Sequence, residues 1–402
     1  VDQLRGARMR TGRSIRLVAP LAVAAVAATA CGSSSSGGSP SSGNSTSSSG
    51  GSSYTIACQG PLTGDNAALG INICDGAKLA IDQANAAGDL PYTLVFKGVD
   101  DQGSATAAPA AAASEVSDSS VVAVVGPAFS GATQASEAKF AGAGLVSVTA
   151  SATLPTLTDP ANGFTTFYRA VATDSSQGAG AADYLTKKLG VKNVYSVDDA
   201  EAYGQGLAAE LDKDLQADGV KVEHDGLPQG TKPANEAAKI VSSGADAVYY
   251  SGYYADGGPF LKALRAAGYK GIFMSDDGAK DPNFVKLAGA SAAEGTYFTC
   301  PCADPSKAAS FFTAYKAAFN QDAGTYSAEA YDVANAIISA MNTLGTNITR
   351  QSVATAVAAV NYTGVTKTVS FGSNHELKTT AVYLYAVKNG AIAYLGAIND
   401  LL

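Results

Sequence analysis

Hydroxyl, carboxylate and aromatic side chains follow the apolar runs of this chain in a repeated pattern. Each run is short and rich in β-branched or aromatic residues, as in a buried strand, and a polar segment comes directly after it. These segments contain Ser130, Ser151, Thr153, Tyr203, Tyr253 and Asp277. Hydroxyl and N–H groups suit a carboxylate, an acid suits an ammonium group, and tyrosine rings suit an apolar side chain. The combination predicts a cleft that recognises an amino acid zwitterion.

Each of these residues also has a simpler interpretation. Ser130 opens a predicted helix and could only cap it, while Ser151 and Thr153 could be turn hydroxyls. Asp277 stands in Asp276-Asp277-Gly278, a common turn composition. Ligands of open α/β sheets lie beyond the carboxyl ends of the strands. Five of the predicted strand ends carry such groups, and this recurrence favours a cleft.

The elements that must position these residues alternate between strand and helix. Helical stretches with apolar residues at i, i+3 and i+4 separate the strands, which predicts parallel sheets with helices on both faces. The strands form two runs of four, and we therefore expect an α/β fold with two doubly wound parallel-sheet lobes. The predicted strands are Tyr54–Cys58, Tyr92–Val99, Val121–Val125, Leu145–Val148, Asn193–Val197, Lys221–Glu223, Ala247–Ser251 and Gly271–Met274.

The order of later segments predicts a hinge with three crossovers. The two runs of strands part near Phe164–Asp174, and a second crossing falls at Gly295–Pro301, before a strongly helical stretch. Tyr362–Val369 and Thr379–Val387 resemble late strands, and the chain closes with a hairpin about Lys388-Asn389-Gly390. We expect one lobe from residues 54–172 and 302–380 and the other from residues 173–301 and 381–402. Three extended segments between two lobes suit a hinge.

The N-terminal segment is typical of an exported protein. Basic residues precede an apolar run, Leu17 to Ala30, which is too short to span a bilayer. Cys31 follows small residues and resembles the cleavage and lipidation site of a bacterial lipoprotein; an ordinary secreted protein with an incidental cysteine is the alternative. We expect residues 1–30 to be a signal peptide. Residues 31–53 are then a lipidated, Ser/Gly-rich tether with a reach of roughly 25 Å.

The remaining composition narrows the function. Without residues 1–30, the chain has 22 basic and 34 acidic residues, and its net charge of −12 argues against nucleic acid and anionic lipid as partners. His224 and His375 are the two histidines, both in polar, turn-like surroundings. With no nucleophile motif and no zinc-type spacing, we expect neither an enzyme nor a bound metal or cofactor. A hydrolase that uses a pair of carboxylates is the alternative left open.

Four further cysteines suggest disulfide pairing in an exported chain. Cys58 ends a predicted strand and Cys74 lies in the following helix, so we favour that pair. Cys300 and Cys302 are so close in sequence that we expect strain to disfavour a bridge between them.

Several short segments, in their order and spacing, resemble the leucine/isoleucine/valine-binding proteins of ABC importers, which have the type I periplasmic-binding fold. The resemblance covers nearly all of residues 54–396. The segments that carry it are Gly60-Pro-Leu-Thr-Gly64, Asp174-Ser-Ser-Gln-Gly178, Tyr203-Gly-Gln-Gly206, Ala247-Val-Tyr-Tyr-Ser-Gly-Tyr253 and Ala293-Glu-Gly295.

The resemblance implies a role for each candidate residue. Ser130 and Thr153, with the backbone near Ser151, would hold the ligand carboxylate. Asp277 would hold the ammonium group in place of a glutamate. Tyr203 and Tyr253 would close over the ligand.

The chain departs from the resembled family in the pocket for the ligand side chain. Leu69 replaces a usual aromatic residue and Ala128-Phe129 replaces a Leu-Cys pair. Gly103 occupies one position of the family's first-lobe disulfide, for which Cys58 and Cys74 would be a substitute.

We therefore expect a monomeric, lipid-anchored, extracytoplasmic protein that captures a branched-chain or similar amino acid and delivers it to an ABC permease. The principal alternative keeps the fold but binds an amide, a urea or an aromatic acid. A ligand sensor is another alternative, which the lack of a second long apolar segment disfavours.

Overall fold

The computed structural model describes residues 52–302 and 304–402. The predicted signal peptide, Cys31 and nearly all of the tether lie outside these residues. Within the two described ranges, no helix combines the length and apolar character that a membrane span requires.

The first sheet contains five parallel strands in the order β2-β1-β3-β4-β5. Every residue of β3 is buried, which accounts for its continuous run of valine and alanine. The strands are β1 Ser53–Gly60, β2 Thr93–Asp100, β3 Val121–Val125, β4 Val146–Thr149 and β5 Phe167–Arg169; the helices between them are α1 Ala67–Ala87, α2 Ala108–Ser117 and α3 Ser130–Gly142.

The second sheet has seven strands in the order β14-β13-β10-β9-β8-β6-β7. Its first five strands in chain order are parallel, and β13 and β14 form an antiparallel hairpin at one edge. The strands are β6 Asn193–Asp198, β7 Lys221–Gly226, β8 Ala247–Ser251, β9 Ile272–Ser275, β10 Tyr297–Cys300, β13 Tyr383–Lys388 and β14 Ala391–Ala397; the helices are α4 Asp174–Asp183, α5 Ala202–Ala217, α6 Ala234–Ser243, α7 Tyr254–Ala266, α8 Pro282–Ala288 and α9 Ala290–Ala293.

The predicted hairpin turn occurs at Asn389 and Gly390, whose φ angles of 55° and 74° suit a tight Asn-Gly connection.

The segment between β10 and β13 packs against the first sheet's helices. It contains α10 Ala309–Phe319, α11 Ser327–Asn342, α12 Arg350–Ala358 and a small hairpin of β11 Asn361–Thr363 and β12 Thr368–Ser370. Helix α11 lies against α1 so closely that a Cβ atom at Gly76 would be 2.0 Å from the Ser327 carbonyl oxygen. Each sheet and the helices packed on it form one layer of the molecule. The chain therefore passes between the two layers three times: after β5, after β10 and before β13.

Two local expectations were wrong. Tyr362–Val369 is not one strand, because Val365 and Thr366 turn to donate backbone N–H groups to Asp332 at 2.8 and 2.7 Å. His224 is not in a turn but in β7, where its ring nitrogens lie 2.6 Å from a carboxylate oxygen of Asp198 and 2.5 Å from one of Asp212.

Two disulfides join the four remaining cysteines. Cys58 in β1 and Cys74 in α1 form the expected pair, with Cα atoms 5.6 Å apart. Cys300 and Cys302 are also paired, contrary to our expectation. Their Cα atoms are 5.1 Å apart, within the range that a disulfide spans, because the chain turns sharply after β10.

Candidate functional site

Hydroxyl groups from two loops of the first sheet meet at the start of α3. Ser130 is the first residue of that helix, and its hydroxyl accepts a 3.3 Å hydrogen bond from the Leu154 backbone N–H. Ser151, in the loop after β4, donates its hydroxyl to the Ala128 carbonyl at 2.7 Å. These two bonds tie the loop after β3 to the loop after β4. The edge of the sheet thus presents a helix N-terminus, which favours negative charge.

Thr153 lies further along this loop, next to Asp174, the first residue of α4. Burial raises the pKa of the Asp174 carboxyl to about 8, an effect that the nearby Thr153 hydroxyl opposes. Among the residues that the structure describes, no group forms a regular hydrogen bond with the Thr153 hydroxyl or the Asp174 carboxyl oxygens. Both groups therefore retain hydrogen-bonding capacity next to the interface between the layers.

A buried ion pair supports the loop after β4. The Arg169 guanidinium, in β5, donates to the Leu154 carbonyl at 2.6 Å and to the Glu376 carboxylate through Nε at 2.9 Å. Glu376 belongs to the third crossover, so this pair links the loop that carries Ser151 and Thr153 to the crossover. Arg169 is fully buried, and a buried guanidinium needs its charged partner.

Asp277 is the charged centre on the second layer. It follows β9 and is 3% exposed. Its Oδ1 accepts hydrogen bonds from the Gln177 amide at 2.7 Å and the Tyr203 hydroxyl at 2.8 Å, and its Oδ2 accepts from the Tyr326 hydroxyl at 2.8 Å. Burial raises the pKa of Asp277, and these three donors oppose the rise by stabilising the carboxylate.

Asp276, the neighbouring acid, behaves differently. Burial, followed by the negative charge of Asp277, raises the pKa of Asp276 well above its usual range. Its side chain accepts backbone N–H groups from Gly252 at 2.8 Å and Ala279 at 3.0 Å, and so shapes the loop rather than the cavity. The arrangement favours the negative charge on Asp277, which has hydroxyl and amide donors around it.

Sequence reasoning missed two of the three donors to Asp277. Gln177 lies in α4 and is buried; its segment was part of the family resemblance, so a signal for it existed. Tyr326, immediately before α11, is held with φ of 66° in the left-handed region. No pattern in the sequence marked Tyr326.

Aromatic rings from both layers close the space beside Asp277. The Phe129 ring stacks on Tyr253 with 4.1 Å between ring centroids, and Tyr253 lies 5.3 Å from the Tyr203 ring. A Cβ atom at Gly103 would be 2.8 Å from the Phe129 ring, so the ring packs directly against this glycine. At Gly278 a Cβ atom would be 2.8 Å from the Tyr203 ring. Both glycines therefore make room for the rings.

These groups enclose one cavity between the layers, which we call the central pocket. It contains about 290 Å³ of space between atoms, of which about 20 Å³ can hold the centre of a water molecule. Thr153 is not among its lining residues, whereas the other predicted ligand-binding residues are. The pocket is lined by Leu69, Ile73, Ala128, Phe129, Ser130, Ser151, Tyr203, Tyr253, Asp277, Gly278 and Tyr326.

Comparison with known proteins identifies the family. The family model for periplasmic binding proteins matches residues 53–391. An amino acid binding protein of Pseudomonas aeruginosa is 34% identical over 237 residues, and the match spans 58% of this chain but only 63% of that protein. A Leu/Ile/Val-binding protein of Rhizobium johnstonii is 31% identical over 347 residues, 84% of this chain and 92% of that protein.

A solved structure agrees with these relatives. The substrate-binding protein of a branched-chain amino acid transporter from Streptococcus pneumoniae, in complex with isoleucine, superposes with a TM-score of 0.77. It is 27% identical in sequence, and the match covers 86% of this chain and 99% of that one. The chain therefore belongs to the periplasmic binding protein family, and within it to the Leu/Ile/Val-binding proteins.

Proposed function

We propose that this protein is the amino acid-binding component of an ABC importer. The observation that carries the proposal is the central pocket, where a buried carboxylate on one layer faces hydroxyls and a helix N-terminus on the other. A zwitterion matches this separation of charge, because its ammonium group suits Asp277 and its carboxylate suits Ser130 and the first turn of α3. In this proposal the pocket binds its ligand without catalysing a reaction.

The hydroxyl groups of the carboxylate site contribute unequally. The Ser151 hydroxyl donates to the Ala128 carbonyl and its backbone N–H donates to the Thr149 hydroxyl at 3.3 Å, so either group would reach a ligand carboxylate only by exchanging its present partner. Thr153 has an unused hydroxyl but lies outside the pocket lining. We assign Thr153 to the ligand carboxylate when the loop after β4 adjusts around it.

The pocket favours a ligand with a short aliphatic side chain. Leu69 and Ala128 offer an apolar surface for that side chain, but the stacked rings of Phe129 and Tyr253 occupy much of the remaining space. Alanine, threonine or valine would fit with smaller movement of these rings than leucine. This preference follows from the aromatic contact rather than from the charged groups.

Ligand capture requires the two layers to move. We assign residues 54–172 and 302–380 to one lobe and residues 173–301 and 381–402 to the other, with the three crossovers as hinge. The ligand contacts both lobes only when they are closed, so binding shifts the equilibrium towards the closed form. The closed form would then dock on the permease.

In this proposal the N-terminal segment anchors the binding domain to a membrane. A lipidated Cys31 and the Ser/Gly tether would hold a monomeric binding domain outside the cytoplasm, within roughly 25 Å of the membrane surface. Mass spectrometry of the mature N-terminus tests this part. A diacylglyceryl group on Cys31 is expected, and an unmodified cysteine in the mature protein would contradict it.

The ligand is tested by a thermal-shift screen of protein that has been unfolded and refolded to remove any bound molecule. The panel contains the twenty amino acids, small amides, urea and aromatic acids. Binding to the folded state raises the melting temperature. We expect a rise with short aliphatic amino acids. A rise only with amides or aromatic acids would contradict the assignment of Asp277 to an ammonium group.

A further inference from the structure

A second and larger cavity lies between the two layers, near the second crossover. About 700 Å³ of it can hold the centre of a water molecule, which is within the range of roughly 300–1,000 Å³ typical of small-molecule sites. Its apolar lining includes Val285 in α8, Phe312 in α10 and Ile392 in β14. Tyr326 lines both this cavity and the central pocket, so its side chain is part of the wall between them. We call this space the crossover cavity.

A carboxylate on one wall of the crossover cavity lacks a partner. Glu329, in α11, is 2% exposed, and no group in the described part of the chain forms a hydrogen bond with its Oε1 atom. Burial raises the pKa of Glu329, and the positive charges of Lys367 and Lys280 oppose that rise. A buried carboxylate oxygen without a donor is costly. Because Oε1 is also shielded from water, a rotation of the Glu329 carboxylate would be needed to bring it to a ligand donor in the cavity.

An ammonium group lines the same cavity. Lys280, after β9, donates to the Thr325 hydroxyl at 3.2 Å, and its Nζ is 4.3 Å from the centre of the Tyr385 ring. One hydrogen bond uses only one of its three donors. The half-buried Lys280 therefore has the capacity to bind an anionic group that enters the cavity.

We propose that the crossover cavity is a second binding site, for an α-amino acid with a large apolar side chain. The ligand carboxylate binds Lys280, its ammonium group binds the Glu329 carboxylate, and its side chain packs on Val285, Phe312 and Ile392. This site does not share its charged residues with the central pocket and holds side chains too large for that pocket.

The site also couples to lobe movement. Lys280 belongs to the layer of the second sheet and Glu329 to a helix packed against the first, so the ligand bridges the two. An occupant that prefers the closed arrangement strengthens ligand binding in the central pocket, and by linkage the reverse also holds.

The test separates the two sites by variants. In the full-length protein, Asp277→Asn disables the central pocket, and calorimetric titration with L-phenylalanine then reports on the crossover cavity. We expect one equivalent to bind, and we expect Glu329→Gln or Lys280→Met to weaken this binding at least tenfold. Glu223→Gln and Lys316→Met remove similar charges outside both cavities and should change it less than twofold.

The proposal of a second site would be overturned if the folded Asp277→Asn variant bound none of phenylalanine, leucine and methionine at millimolar concentration. Binding that neither charge substitution weakens would overturn its assignment to this cavity. Glu329→Gln in the otherwise unchanged protein keeps the central pocket intact, so the thermal-shift panel on that variant tests the proposed function separately. Melting temperatures of the unliganded variants verify that each one folds.

Discussion

The substitution Asp277→Asn should weaken ligand binding by about 150-fold while leaving the unliganded fold intact. The carboxylate is 3% exposed, so water would screen its attraction for a ligand ammonium group only weakly. Leaving that ammonium group buried without its charged partner costs about 3 kcal/mol. Because each 1.4 kcal/mol is a tenfold change in affinity, the expected loss is about two orders of magnitude.

The same substitution should not lower the stability of the unliganded protein. Asparagine keeps the shape of the side chain, and its oxygen can still accept from Gln177 and Tyr203. The substitution also removes a buried charge whose pKa burial raises, and relieves its repulsion of Asp276. We therefore expect the melting temperature of the unliganded variant to be equal to or higher than that of the parent protein.

The assay is calorimetric titration of refolded protein with the amino acid that raises its melting temperature most. Asp322→Asn is a matched control, since that side chain is 84% exposed and lines neither cavity. A loss of affinity smaller than threefold in Asp277→Asn would refute the assignment of this carboxylate to the ligand ammonium group. A large loss that accompanies unfolding would refute the argument on stability.

Three further predictions concern the pocket, the crossover and pH. Phe129→Ala removes the stacked ring and should improve leucine binding relative to alanine binding at least tenfold; an unchanged ratio would show that the ring does not limit ligand size. Glu376→Gln leaves the buried Arg169 without its charged partner and should lower the free energy of unfolding in urea by about 3 kcal/mol, and a loss below 1 kcal/mol would contradict this.

Hydrogen bonds that the protonated His224 ring donates to Asp198 and, with the next largest effect, to Asp212 raise its pKa from 6.5 to about 10. Its stabilising effect is full below pH 6.5 and disappears as the pH rises through about 10. The parent protein should therefore be more stable than His224→Gln at pH 6 but not at pH 11; a difference independent of pH would refute the ion pair.

The positions of strands and of most candidate residues could be predicted from the sequence. Runs such as Val121–Val125 are apolar throughout because both faces of a parallel sheet are covered, and the segments after them must reach the same edge. This topological rule placed Ser130, Ser151 and Asp277 around one pocket without any knowledge of contacts.

The partners of Asp277 could not be predicted in this way. Gln177 is 100 residues from Asp277 and Tyr326 is 49 residues away. Whether they meet depends on how α4 and the start of α11 lie against the second sheet, and helical periodicity contains no information on that contact. The Cys300–Cys302 bridge was missed for a related reason, since the turn after β10 brings their Cα atoms to a separation that a disulfide can span.

The sequence by itself determined the class of fold and the charged and hydroxylated character of the pocket, because each depends on local composition and spacing. Only the tertiary structure decided the shape of the pocket. The Phe129–Tyr253 stack, the room that Gly103 leaves for it and the crossover cavity arise from segments that meet through packing of separate layers. Such contacts depend on the complementary volumes of distant side chains, which no local pattern encodes.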